Sequence, residues 1–83
     1  MSKDHILFHL NEAIEQLSET ILQFRTDTEI TEGEYYVAMQ HAYHHLNTAW
    51  NARRFNSERV ENATDQDFNE WGSFPVDIDP MTV

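Results

Sequence analysis

The stretch Leu7-Phe-His-Leu-Asn-Glu-Ala-Ile-Glu-Gln-Leu-Ser-Glu-Thr-Ile-Leu-Gln-Phe24 decides the fold. Leu7, Leu10, Ile14, Leu17, Ile21 and Phe24 recur at alternating spacings of three and four. With 3.6 residues per turn, that interval draws a single apolar stripe along an α-helix. The rhythm returns further on in Tyr36, Met39, Tyr43, Leu46 and Trp50. Two amphipathic helices of similar length are therefore expected, each with a seam to bury.

Local signals set their limits. The first helix is expected from about Asp4 to Arg25, with Ser2 or Asp4 as its cap and Arg25 facing the negative end of the helix dipole. The segment from Thr26 to Ile30 reads as a short connection. Thr31 followed by Glu34 is a capping box, and Glu29, Glu32 and Glu34 place negative charge at the positive end of the second helix. That helix is expected over about 32–54, with Arg53 and Arg54 at its C-terminus. Residues 1–54 thus form an antiparallel helical hairpin. Ala38, Ala42 and Ala49 border the second stripe and suit the close approach of another helix. Stripes wider than one hairpin can bury predict dimerisation into a four-helix bundle.

The remainder, 55–83, is an acidic extension. Thr64 with Asp67 predicts a short helix over about 65–71, and Gly72, Pro75 and Pro80 forbid a long one afterwards. Phe55, Val60, Phe68, Trp71, Phe74, Val76 and Ile78 make it too apolar for a plainly disordered tail. Part of it is expected to fold back over the hairpin. The fold class is all-α.

Composition narrows function more by exclusion. Fifteen acids against five Lys and Arg give a net charge of −10, and the last 29 residues hold seven acids against Arg59 alone. Such a chain repels phosphate backbones, so it is not expected to bind nucleic acid directly. No apolar run suggests a signal peptide or the roughly 20 residues of a membrane span, and a cytoplasmic location is expected. There is no cysteine, hence no disulfide and no thiolate-bound metal. Ser18, Ser57 and Ser73 lack a histidine–acid context, and two glycines make no phosphate cradle. No enzymatic activity and no cofactor are expected.

Three constellations stand out. His5, His9 and Glu12 share one face of the first helix, and His41, His44 and His45 one face of the second. Imidazoles four residues apart can chelate a transition metal. Both faces point away from the apolar stripes, however, so they are expected to be solvent-facing, unable to converge inside one hairpin, and to titrate near 6.5. A metal site between chains and a pH-sensitive contact are the competing readings. Around Trp50, Asn47 and Asn51 read as polar register pins, or Trp50, Asn51 and Arg54 as a recognition patch. Phe68, Trp71 and Phe74 read either as anchors for a partner's groove or as a plug docking on this protein's own bundle.

In architecture the plan is similar to the small copy-control dimers of bacterial plasmids. Those dimers hold RNA through basic residues, and the first helix here offers only Lys3 and Arg25, so the likeness carries no function across. The reading is a small acidic, self-associating protein-interaction module whose partner is a second copy of itself. An acidic decoy occupying the nucleic-acid site of a basic protein and a histidine metal-binding protein are the alternatives.

Overall fold

A computed structural model describes residues 1–26 and 29–82. Among them are four helices and no strand: α1 Lys3–Thr26, α2 Glu32–Asn51, α3 Ser57–Glu61 and α4 Asp65–Trp71. The expected connection from Thr26 to Ile30 includes Asp27 and Thr28, which lie outside the described residues. None of the described helices is long and apolar enough to cross a membrane.

Short-range hydrogen bonds set most of the boundaries. Ser2 caps α1, its hydroxyl accepting from the His5 amide, while its own amide donates to the Phe55 carbonyl at 3.1 Å. Thr31 accepts from the Glu34 amide at the start of α2. Asn56 caps α3 by accepting from the Arg59 amide. Thr64 and Asp67 exchange side-chain-to-backbone bonds in a full capping box at α4. The second long helix is shorter than expected. It ends at Asn51, and a turn through Ala52 brings Phe55 round to Ser2. Arg53 and Arg54 therefore lie beyond the helix and not within it.

α1 and α2 pack side by side as the hairpin predicts. Their line of closest approach is not the apolar stripe. Ala13 and Ala42, each 2 % exposed, lie on it with Thr20 and Ala49. Small side chains let two backbones approach closely, so this line gives the tightest packing available to the pair. From Ala13, at about 100° per residue, Leu10, Leu17 and Ile21 lie about 40–80° to one side and His9, Gln16 and His5 about 40–80° to the other. The same count from Ala42 puts Met39, Leu46 and Trp50 on the apolar side and His45 and His41 on the histidine side. One hairpin therefore has an apolar edge and an imidazole edge, with alanines between.

Leu7, Leu10, Ile14, Leu17, Ile21, Phe24, Tyr36, Tyr43 and Leu46 stay exposed in the single chain, while Met39 and Trp50 are half-buried. They are not its core. Trp71, 4 % exposed, is the one large apolar side chain buried among the described residues. Its ring lies 5.3 Å from Phe55 and 6.1 Å from His5, so α4 closes the end of the hairpin where α1 begins and α2 ends.

Candidate functional site: an imidazole chain and an apolar edge

The histidine helix faces converge, contrary to the expectation that they could not. The reason is the contact line: with alanines at closest approach, side chains about 40–60° off it on each helix reach across the seam. His9 Nδ1 faces His45 Nδ1 at 2.9 Å, joining the helices. His9 Nε2 faces His5 Nε2 at 3.2 Å, and His45 Nε2 faces His41 Nε2 at 3.0 Å. His41 Nδ1 bonds the Gln16 side-chain oxygen, closing the chain back onto α1. Four imidazoles thus run in series, His5–His9–His45–His41, ending on an amide.

The surroundings disfavour charge on this chain. Burial and the neighbouring imidazoles of His5, His45 and His44 pull His9 down from 6.5 to about 4. Burial lowers His5. His45 is lowered by burial, then by His41 and His44, against a smaller opposing pull from Glu12. The expectation of solvent-facing groups titrating near 6.5 is therefore corrected for these three. His45 is buried, His5 and His9 half-buried, and only His41 and His44 exposed. His44 stands outside the series, packed where α2 passes Gly72.

The donors pair and do not gather. Each imidazole–imidazole contact joins two nitrogens, and His9 and His45 use both of theirs. Among the described residues no set of three or more His, Asp or Glu is arranged around one point to hold an ion. Glu12 lies near His45 without a bond to it.

The residues singled out around Trp50 serve the tail. Asn51 donates to the carbonyls of Trp71 and Ser73 at 2.8 and 2.7 Å, and Asn47 to that of Gly72 at 3.1 Å. Trp50 Nε1 donates to Asp77, and Arg53 stacks on the Trp50 ring at 3.6 Å while bonding the other Asp77 oxygen at 3.0 Å. These two bonds, the indole first, hold the Asp77 carboxyl below its usual range. Arg54 is exposed and takes no part in this set. Of the three tail aromatics, Trp71 is buried; Phe68 and Phe74 are largely exposed, although Phe74 lies 5.3 Å from Tyr43.

On the opposite edge, Leu17, Ile21 and Phe24 of α1 form an open apolar groove with Tyr35 and Met39 of α2. Leu10, Leu46 and Trp50 continue it, with Ile78 of the tail at its end. Sequence reading found the stripe residues of this edge but not Tyr35, whose position one residue before the stripe hid its place in the groove, and it did not bring Met1 or Ile78 to it. It also missed Gln16 and Thr20, whose only signal was their four-residue spacing beside the histidines.

Compared with protein-family models, with characterised proteins and with solved structures, the chain matches none.

Proposed function

We propose that this chain is a small acidic interaction module, without catalytic activity, whose apolar edge pairs with that of a second copy to make a four-helix bundle. The carrying observation is that large side chains of both long helices stand exposed along one edge, Leu17 at 39 % and Ile21 at 52 % among them. Contiguous exposed apolar surface beyond a few hundred Å² marks an interaction site in a soluble protein. The charged side chains lining this groove are Arg25 and Arg53 and no carboxylate lines it, so the acids that give each chain its −10 stand away from the paired faces. Carboxylates kept off the edge supply solubility elsewhere and repel nucleic acid.

Sedimentation equilibrium at micromolar concentration tests this. The expected mass is about twice the 9.8 kDa of the chain, and Leu17→Glu with Ile21→Glu should return it to one chain while helical circular dichroism persists. A wild-type protein that stays monomeric across that range refutes the proposal.

A further inference from the structure

We propose that the imidazole chain is a proton-operated lock: uncharged, it ties α1 to α2 and seats α4, and taking up a proton undoes it. The argument rests on the direction of the hydrogen bonds. Thr20 donates its hydroxyl to the backbone carbonyl of Gln16 at 2.9 Å, so its oxygen accepts from Gln16 Nε2. That turns Gln16 Oε1 to His41, whose Nδ1 must carry the hydrogen. A neutral imidazole has one donor and one acceptor, so His41 Nε2 accepts from His45 Nε2. His45 Nδ1 then accepts from His9 Nδ1, and His9 Nε2 accepts from His5 Nε2. One threonine thereby fixes four tautomers, alternating along the chain.

The series ends at His5 Nδ1, which is left with a lone pair, buried and without a partner. That nitrogen is the one acceptor the chain keeps free. A proton there places an N–H donor in a buried site beside the Trp71 ring, 6.1 Å from the imidazole centre. A proton at any other ring nitrogen sets two N–H groups against each other and breaks a link. A proton at His5 Nδ1 thus keeps the links but leaves a buried cation with an unpaired N–H. One at any other nitrogen costs a link, so every charged form is disfavoured against the neutral one.

Charge around the lock does little to relieve this. On α1, Glu12 favours a cation at His45; on α2, His44 opposes one. On α3, Arg59 lies 5.6 Å from the Trp71 ring, adding positive charge at the His5 end. The facing acid of α4, Asp67, is already held by Arg59 at 2.7 Å and by the Thr64 amide.

The sign follows from linkage. Imidazoles of the unfolded chain take protons near 6.5, and His5, His9 and His45 in the lock take them at lower pH, so between these limits protons favour the unfolded state. Stability is full above about 6.5 and falls as the pH drops below it. Simple charge repulsion predicts the opposite, since a chain at −10 sheds net charge on mild acidification.

The test uses the full untagged chain. Long-range 1H–15N spectra at pH 7.5 should show Nδ1–H tautomers at His9 and His41 and Nε2–H tautomers at His5 and His45. From pH 7.5 to 5.0 the melting temperature should fall by about 5–15 °C. His9→Leu with His45→Leu should flatten that dependence; if this double variant does not fold, the wild-type tautomers and melting curve still decide. A melting temperature that holds or rises on acidification, a common Nε2–H tautomer at all four rings, or stoichiometric zinc or nickel retained on these nitrogens would each overturn the lock.

Discussion

Replacing Trp71 with alanine measures how far the C-terminal third is part of the fold. The side chain is 4 % exposed and packs against Phe55, Phe68 and His5 at ring separations of 5.3, 6.0 and 6.1 Å. Truncating a buried aromatic to alanine costs about 3–5 kcal/mol, part transfer and part cavity. A chain of this size has about 4–12 kcal/mol in total, so the change removes a large share of it. At about 4–8 °C per kcal/mol for a domain under 100 residues, the melting temperature should drop by about 12–40 °C. Phe74→Ala in the same tail is the control. Phe74 is 67 % exposed despite its contact with Tyr43, and its loss should cost less than about 1 kcal/mol. Thermal melts followed by circular dichroism, with amide spectra reporting on residues 64–82, distinguish the two. Equal, small shifts from both substitutions, with narrow random-coil amides in the tail, would refute the claim that α4 closes the hairpin and would return Phe68, Trp71 and Phe74 to the role of free anchors for a partner.

The other expectations concern single atoms. Gly72→Ala places a Cβ 2.9 Å from His44 Nδ1 and 3.2 Å from the Phe68 carbonyl, and overpacking of this kind costs about 1–3 kcal/mol, read from a chemical melt. The backbone at Gly72, with φ −76°, would accept alanine, so a neutral substitution would show that α4 sits further from α2 than described. Asn51→Ala leaves two tail carbonyls unbonded by protein and should cost about 1–3 kcal/mol, with fast amide exchange confined to 71–77 if the tail alone is released. For His9, a fall from 6.5 to about 4 sets a ceiling near 3 kcal/mol, which its half-open position reduces to about 1–2 kcal/mol of stability lost between those pH values.

What the sequence determines by itself is local. Ser2, Thr31 and Thr64 cap helices because a side-chain oxygen meets an amide three residues on, a relation written within a few residues of chain. The three-and-four spacing likewise fixes which side chains share a stripe, and the hairpin follows from two such helices and a short connection. Which longitude of each helix meets the other is not local. The stripe predicts burial of Leu17 and Leu46, but Ala13 and Ala42 allow closer approach, and the seam forms on them. That rotation of about 40° leaves the leucines at one edge and carries His9 to within 2.9 Å of His45 across the other. Asn47 and Asn51 show the same limit: their poor helix propensity signals that they bond something. Only the return of the tail reveals that the acceptors are carbonyls 20 and 25 residues further along the chain. Propensity and capping act within a turn; closest approach and hydrogen-bond direction are set by residues the chain brings together from afar.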